Sequence, residues 1–189
     1  MSLVYYCYED SPVGRLLMLC EAEKLTHLDF VVTQVAPHPD WILDENRPLF
    51  LQVKQALRDY FAGKRVCFDA IPFAPKGTVF QQRVWSALQQ LAYGESTTYG
   101  ELAQQIGQPK AVRAVGGAVG RNPISILIPC HRVLGKQREL TGFGGGLPIK
   151  RHLLQLEQID YVDHGVEFVK PKHLKKISAK MTALYDTSN

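Results

Sequence analysis

The sequence has no long hydrophobic run and few cysteines, and each of these absences removes a class of protein. No apolar stretch in its 189 residues approaches the roughly 20 residues that cross a bilayer, so we expect no membrane span. The start of the chain lacks a basic segment followed by an apolar one, which argues against a secretory signal. A chain of this length with only four cysteines is not typical of a disulfide framework. These features predict a protein of the reducing cytoplasm with free thiols at Cys7, Cys20, Cys67 and Cys130.

Charge is small overall and unevenly distributed. The net charge of +4 divides into −3 for residues 1–72 (10 acidic, 7 basic) and +7 for residues 73–189 (8 acidic, 15 basic). A weakly acidic first part and a basic second part predict two domains, of which the second faces a polyanion such as nucleic acid. A basic surface that serves only solubility is the alternative.

The first part of the chain reads as a small sheet followed by a helix. Residues 3–8, 15–20 and 25–32 are rich in β-formers and are separated by turn signals, which predicts an antiparallel meander. Apolar residues then recur at four-residue spacing, which predicts a helix that Gly63 ends. They are Leu49, Val53, Leu57 and Phe61. No group of reactive side chains stands out, so we predict a structural α+β domain over residues 1–72.

Prolines and a glycine in residues 71–78 predict a linker, placed at 73–77, and helical patterns follow it. Thr98 and Glu101 form a capping box at the start of one short helix, which Gly107 ends. A second short helix is predicted to begin near Pro109, so the pair forms a helix-turn-helix. Two longer amphipathic helices flank the pair. Their inward-facing residues are predicted to be Phe80, Val84, Leu88 and Leu91 in the first, and Ile149, Leu153, Leu156 and Ile159 in the last, which also carries Glu157.

The second helix of the pair has an almost bare surface, on which Arg113 is the one long side chain. Adjacent glycines inside a helix cost roughly 1–2 kcal/mol relative to alanine. Such a cost indicates that another backbone approaches closely, either a neighbouring element or a DNA strand. Tight packing against a neighbouring helix, with Arg113 merely solvated, is the alternative. The small residues of this surface are Ala111, Ala114, Gly116 and Gly117.

Residues 124–133, ISILIPCHRV, predict a strand that leads into Cys130 and His131. A cysteine is a good nucleophile only as the thiolate, and a histidine can serve as the base that removes its proton. Consecutive side chains point apart on an extended backbone, so we expect either a bend after Pro129 or a water that carries the proton. Glu157 is the nearest carboxylate on a regular element that could orient the histidine. A buried cysteine beside a surface histidine is the alternative.

Metal binding is not expected. Cys7, Cys20 and His27 could supply three ligands, but their spacing matches no common zinc site and no fourth ligand is nearby.

Several motifs occur together in a recognisable order. RNPISILIPCHRV, TYGELA, RAVGGA and TGFGGGLPIKRHLLQLE resemble the O6-alkylguanine-DNA alkyltransferases over about residues 78–160, and DSPVGRLLM and LRDYFAGK are similar to the N-terminal domain of that family. The resemblance implies an α+β protein, with a mainly helical, winged helix-turn-helix-like domain over 78–165 that carries the active cysteine. A basic tail over 166–189 follows, for which the resemblance implies no role.

The resemblance also implies a reaction and a set of residues. The protein would repair DNA by moving an alkyl group from O6 of guanine, with O4 of thymine as an open second substrate, to Cys130. Each molecule would act once on a flipped nucleotide in double-stranded DNA, without metal or cofactor and as a monomer. His131 would be the base acting through water, Glu157 the carboxylate behind it, and Asn122 a brace for the site. Tyr99 would sit beside the flipped nucleotide and donate a proton to the departing guanine.

For DNA, the resemblance implies that Arg113 enters the duplex, with Tyr99 at the flipped nucleotide and the bare helix in the minor groove through Ala111, Ala114, Gly116 and Gly117. The substrate pocket would be formed by Pro129, Val133, Phe143, Gly144 and Gly145. The family commonly has a tyrosine and a small residue where this chain has Phe143 and Gly144, so the preferred alkyl group is left open.

Three other functions are compatible with these motifs. They are a non-catalytic DNA-lesion binder of the same fold, a hydrolase that uses Cys130, His131 and Glu157, and a helix-turn-helix transcription factor. An intact Cys130 argues against the first. The bare second helix argues against the third, since it offers almost no side chains that could read bases.

Overall fold

The computed structural model describes residues 3–33 and 36–165. A four-stranded sheet opens the chain. Its strands are β1 (Val4–Ser11), β2 (Gly14–Glu21), β3 (Lys24–Phe30) and the short parallel edge strand β4 (Ile42–Leu43), and they lie in the order β3-β2-β1-β4. The first three strands form the predicted antiparallel meander, and its second turn uses two residues with left-handed backbone, Ala22 and Glu23.

A single long helix, α1 (Pro48–Phe61), covers one face of this sheet. Pro48 occupies the first helical position, where the missing N–H costs nothing, and Gly63 follows the end with φ of 81°. Leu49, Val53 and Leu57 are buried, as their spacing predicted. This part of the fold therefore follows directly from the apolar pattern.

The second part is mainly helical and also contains one small parallel strand pair. Two helices start with complete capping boxes, one of which is the predicted pair Thr98 and Glu101. The elements are α2 (Val79–Leu88), β5 (Thr97–Thr98), α3 (Tyr99–Gln105), α4 (Val112–Val119), β6 (Val133–Leu134) and α5 (Leu147–Leu156). Helices α3 and α4 form the predicted helix-turn-helix, and α2 packs against α4 through a hydrogen bond from Trp85 Nε1 to the carbonyl of Ala118 (3.0 Å). The α+β class predicted from the sequence is confirmed.

The two parts share their interior. The edge of β3 that does not pair with β2 forms backbone hydrogen bonds with two later segments. Leu25 pairs with residues 72–74, and Leu28 pairs with residues 123–125. One cluster of buried apolar side chains runs from the sheet through the helices to Cys130 and Leu153. The domain boundary placed at 73–77 stays a prediction, but this segment is hydrogen-bonded to the sheet.

Some helix ends differ from the sequence-based prediction. Helix α4 begins at Val112, because residues 108–111 form a separate turn in which Ala111 N–H donates to the carbonyl of Gln108. Leu91 and Ile159 lie beyond the ends of α2 and α5. The predicted basic tail, 166–189, lies outside the described residues. Within 3–33 and 36–165, no helix is long and apolar enough to cross a membrane.

Candidate active site at Cys130

The segment that carries Cys130 is a folded turn, so the strand predicted over residues 124–133 is wrong. Ile126 has a left-handed backbone (φ 72°), and residues 130–132 form one turn of 3₁₀ helix. Only Val133–Leu134 are extended, and they pair with Thr97–Thr98. The apolar run misled the prediction because buried turns and buried strands have the same composition. The backbone bend expected after Pro129 is present.

Asn122 closes this turn with its side-chain amide. Its Oδ1 accepts a hydrogen bond from Ile124 N–H (3.0 Å), and its Nδ2 donates to the carbonyl of Ile128 (2.7 Å) and to Sγ of Cys130 (3.1 Å). Asn122 is 2% exposed and Cys130 is 6% exposed. A donor aimed at the sulfur stabilises negative charge on it, so the amide both fixes the turn and favours the thiolate.

His131 follows Cys130 in the 3₁₀ turn, and its side chain lies in the interior. His131 is fully buried, and its Nε2 lies 2.7 Å from Oε1 of Glu157. Its Nδ1 is buried and has no hydrogen-bond partner among the described residues. The histidine and the carboxylate predicted from the sequence are thus brought together.

Glu157 was predicted within the last helix, but it caps that helix, directly after Leu156. This position turns the carboxylate inward. Arg132 donates to both of its oxygens, from Nε to Oε2 (2.7 Å) and from Nη2 to Oε1 (3.1 Å). The hydroxyl of Tyr60, from α1, donates to Oε1 at 2.6 Å. Gly94 N–H makes a longer contact with Oε2, at 3.4 Å.

Opposing effects determine the ionisation of Glu157 and His131. Burial alone would raise the pKa of Glu157, but the hydrogen bonds from His131 and Arg132, together with the charge of Arg132, outweigh it and hold this pKa at about 2. Burial lowers the pKa of His131, and Glu157 offsets only part of that effect. The carboxylate is therefore ionised and can only accept, which requires the proton on Nε2 of a neutral imidazole. Nδ1 is then the basic nitrogen.

Arg132, Tyr60 and Lys150 are further parts of the site that were not predicted from the sequence. Lys150 is 1% exposed, and its Nζ donates to the carbonyls of Val133 (2.6 Å) and Thr141 (3.1 Å). These bonds connect β6 to the glycine-rich loop, residues 141–146. Burial lowers its pKa to about 8, against an opposing contribution from Cys130. Arg132 is adjacent to His131 in sequence, and this adjacency was the one available signal. Nothing in the sequence near Tyr60 indicated its contact with Glu157.

Tyr99 and the glycine-rich loop pack against the apolar surroundings of the thiol. Tyr99 and Phe143 pack against the cluster that contains Cys130 and Val133. Pro129 is buried in the same turn. Burial raises the pKa of Tyr99, and Thr141 Oγ1 lies 3.4 Å from its hydroxyl oxygen. The aromatic ring of Phe30, from β3, packs edge-on against Phe143 with 5.9 Å between centroids.

Two adjacent glycines of this loop have different surroundings. A Cβ on Gly145 would lie 2.8 Å from the Phe30 ring and 3.2 Å from the Phe143 ring, whereas a Cβ on Gly144 would meet nothing within 4 Å. Gly145 is therefore needed for close packing, and Gly144 is not.

Helix α4 presents Arg113 and Ala114 to solvent, while Gly116 and Gly117 are half-buried. The Gly116 position faces the Tyr99 ring, where a Cβ would make an ordinary contact at 3.7 Å. Ala111 is the residue that precedes the helix. An open cleft of about 410 Å³ runs between α4 and the start of α2, lined in part by Arg113, Arg121 and Phe80.

Cys7 and Cys20 are fully buried in the sheet, and burial raises the pKa of Cys7 to about 12. Among the residues that the structure describes, no group of three or more His, Cys, Asp or Glu side chains could hold a metal ion.

The fold and this site define an α+β protein that combines a buried free cysteine, a histidine–carboxylate pair and an exposed, nearly bare helix. Residues 4–75 match the family model "6-O-methylguanine DNA methyltransferase, ribonuclease-like domain", and residues 79–159 match "6-O-methylguanine DNA methyltransferase, DNA binding domain". The chain belongs to the 6-O-methylguanine DNA methyltransferase family.

Relatives and solved structures agree with this assignment. A Haemophilus influenzae protein named "Methylated-DNA--protein-cysteine methyltransferase" is 58% identical over 176 residues, which is 93% of this chain and 98% of the relative. A constitutive protein of the same name from Bacillus subtilis is 41% identical over 167 residues, covering 83% and 97% of the two chains. The crystal structure of Mycobacterium tuberculosis OGT in complex with DNA superimposes with a TM-score of 0.74 at 45% identity, covering 82% and 92%.

The first prediction compares the two adjacent loop glycines. Gly145→Ala places a methyl group against the Phe30 ring and is expected to cost about 1–3 kcal/mol of stability through overpacking. Gly144→Ala, the matched control, is expected to leave stability within about 0.5 kcal/mol of the parent. Urea denaturation of both variants provides the measurement, and equal stabilities would contradict the packing described.

The second prediction concerns acid. Because the pKa of Glu157 is lowered from 4.5 to about 2, its ionisation adds stability above pH 4.5 that is lost as the pH falls toward 2. A shift of this size corresponds to about 3 kcal/mol. His131 acts in the same direction below its ordinary value of 6.5, since its pKa is lowered too. Glu157→Gln is expected to be less stable than the parent at pH 7, by an amount that shrinks on acidification.

Urea denaturation between pH 7 and pH 3 measures this difference. Glu95→Gln, which changes an exposed carboxylate outside the cluster, provides the control and is expected to leave the pH dependence unchanged. A Glu157→Gln variant whose deficit stays constant across this range would show that folding does not lower the pKa of Glu157.

Proposed function

We propose that the protein repairs alkylated DNA by moving the alkyl group from O6 of guanine to the sulfur of Cys130, once per molecule. The observation that carries this proposal is the arrangement of Cys130, Asn122, His131 and Glu157. An amide donor faces the sulfur, and a neutral histidine is held by an ionised carboxylate so that Nδ1 is free as a base. The Haemophilus and Bacillus relatives are named methylated-DNA–protein-cysteine methyltransferases, which supports methyl transfer from DNA to a cysteine.

The chemical step balances without a cofactor. The thiol proton passes to Nδ1 of His131 through one water, and the imidazolium is stabilised by Glu157. The sulfur then attacks the alkyl carbon, the new S–C bond forms as the C–O6 bond breaks, and the electron pair leaves with the guanine. The guanine takes a proton from the Tyr99 hydroxyl, which is replenished through water with the proton taken from the thiol. The product is a thioether that this base cannot hydrolyse, so the protein is consumed.

Access to the sulfur requires that the nucleotide leave the duplex. Cys130 is 6% exposed and lies in an apolar cluster, so a stacked base cannot reach it. Flipping costs a few kcal/mol, and Arg113, exposed on α4, would enter the duplex and fill the gap. Small residues along α4 let the helix approach the minor groove closely. These residues are Ala111, Ala114, Gly116 and Gly117.

The alkyl group would be received between the turn at Pro129 and the glycine-rich loop. Val133 and Phe143 provide apolar walls of this pocket, with Gly144 and Gly145 at its loop side. Gly145 is packed against Phe30, whereas Gly144 is open, so Gly144 is the position at which the pocket can accept a larger group. We propose that the protein acts as a monomer and in the cytoplasm, on duplex DNA that carries O6-alkylguanine.

The two other functions considered for the cysteine are less well supported. A non-catalytic lesion binder has no use for a thiol that faces an amide donor and a histidine–carboxylate pair. A hydrolase would need water to attack a covalent intermediate repeatedly, whereas a thioether resists this attack. The family match over residues 79–159 is to a DNA-binding domain, which a hydrolase of small substrates would not require.

The third prediction separates chemistry from binding. Cys130→Ala is expected to abolish alkyl transfer and to leave the affinity for duplex DNA within a factor of about two, because the thiol does not contact the phosphates that dominate affinity. Mass spectrometry after incubation with duplex DNA containing O6-methylguanine measures the transfer. The parent should gain one methyl group on the peptide with Cys130, and Cys67→Ala, which removes an exposed cysteine, should gain it too. A parent protein without this gain would refute the proposed function.

The fourth prediction tests Arg113. Arg113→Ala is expected to lower the rate of transfer from duplex DNA roughly 10- to 100-fold, since the flipped state loses a group that fills the gap in the helix. Transfer from free O6-alkylguanine should change little, because the free base needs no flipping. Arg58→Ala, which removes an exposed arginine of α1, is the control. Equal losses on both substrates would contradict this role.

A further inference from the structure

The sheet-and-helix part of the chain, from β1 to the end of α1 (residues 4–61), makes one side-chain hydrogen bond to Glu157 among the described residues. Tyr60 is its donor. It lies near the end of α1, is fully buried, and its hydroxyl is 2.6 Å from Oε1 of Glu157. The same oxygen accepts the hydrogen bond from Nε2 of His131 at 2.7 Å. Nη2 of Arg132 also donates to this oxygen, at 3.1 Å. The three donors share one acceptor, which links the strength of each contact to that of the others.

The phenol is the donor in this contact. Glu157 is ionised and can only accept, and burial, together with the charge of Glu157, raises the pKa of Tyr60 far above the neutral range. The hydroxyl proton therefore stays on Tyr60 across the neutral range. This proton is donated to Oε1 of Glu157, and the imidazole proton of His131 stays on Nε2.

The ring of Tyr60 is fixed by its neighbours, so the hydroxyl is held in a defined place. Phe61 packs edge-on against it with 5.3 Å between centroids, and Tyr93 does so at 6.2 Å. Phe68 is tilted against it at 6.0 Å. A rigid donor at the end of a long helix is suited to orient a carboxylate.

We propose that Tyr60 is a positioning residue for the transfer reaction: its hydroxyl holds Oε1 of Glu157 in line with His131 and sets how strongly the histidine–carboxylate pair takes up a proton. The sheet-and-helix part of the chain, for which the sequence analysis found no chemical role, thereby contributes to the active site. This inference rests on the proposed function.

The direction of the effect follows from the shared oxygen. Without the phenol, Oε1 loses a donor and the carboxylate becomes more basic. It then holds the imidazole proton more strongly, and the coupled pair takes up its next proton at higher pH. Since transfer needs the neutral imidazole, the fall in rate on the acid side of the pH profile moves to higher pH.

The fifth prediction is made for the full-length protein with duplex DNA that carries a single O6-methylguanine. Tyr60→Phe keeps the ring and removes only the hydroxyl. The acid-side midpoint of the single-turnover rate is expected to rise by about one pH unit, which makes the rate roughly tenfold lower below the midpoint.

Tyr93→Phe is the matched control. Tyr93 packs against Tyr60, and its hydroxyl donates to the carbonyl of Leu156 at 2.9 Å, next to Glu157 but not to its carboxylate. This variant should lose stability and keep the pH profile of the parent. If Tyr60→Phe and Tyr93→Phe have the same profile, Tyr60 is only a structural residue and the inference is overturned.

A second variant covers the case in which Tyr60→Phe does not fold. A ring-fluorinated tyrosine at position 60 keeps the hydroxyl and nearly the same shape, and makes it a stronger donor. The acid-side midpoint is then expected to move to lower pH, and an unchanged midpoint would overturn the inference. Failure of the proposed function is distinguishable, because the parent protein itself would then show no methyl gain at Cys130.

Discussion

The buried carboxylate of Glu157 is the interaction on which the rest of the site depends. A charge in a fully buried position is costly unless it is paired and hydrogen-bonded. Here Arg132 provides the opposite charge, and His131 and Tyr60 provide further donors. These partners come from α1 and from the 3₁₀ turn at Cys130, and the carboxylate itself stands at the end of α5, so one anion fixes the relative positions of three separate segments. Its ionisation also determines which nitrogen of His131 is basic.

The apolar run that leads into the reactive thiol has a structural explanation. Ile124, Ile126 and Ile128 are buried, each in a turn rather than a strand, and the turn closes on Asn122. The edge of β3 satisfies part of its backbone, since Ser125 N–H donates to the carbonyl of Leu28. The result is a dry surrounding for the sulfur in which the polar contacts come from a few defined donors. Such an environment suits transfer of an apolar alkyl group better than hydrolysis.

Local patterns predicted much of this fold. The meander, α1 and the capping box at Thr98 follow from alternation, four-residue spacing and cap chemistry, which act over a few residues. The motif around Cys130 and the family resemblance identified the thiol, the histidine and the carboxylate, and the roles of these residues remain proposals. The strand over 124–133 was wrong because composition does not distinguish a buried turn from a buried strand, and the left-handed backbone of Ile126 has no local signal.

Long-range contacts could not be predicted from local patterns. Tyr60 lies 97 positions before Glu157, and the apolar spacing of α1 gives no sign of a partner at that distance. The same holds for Lys150, whose ammonium group ties β6 to the loop from a helix that reads as an ordinary amphipathic one. From the sequence alone, a charged or phenolic side chain on an amphipathic helix is predicted to be solvated, because its buried partner lies in a distant part of the chain.

The continuous interior has one further consequence. Because the sheet, the helices and the turn at Cys130 share a single cluster, local loosening of the first part would also remove Tyr60 and Phe30 from the reactive region. The arrangement of side chains around Cys130 is therefore tied to the cooperativity of the whole molecule. A partly unfolded chain would carry an ordinary thiol, and such a chain would be no more prone to indiscriminate alkylation than any other protein.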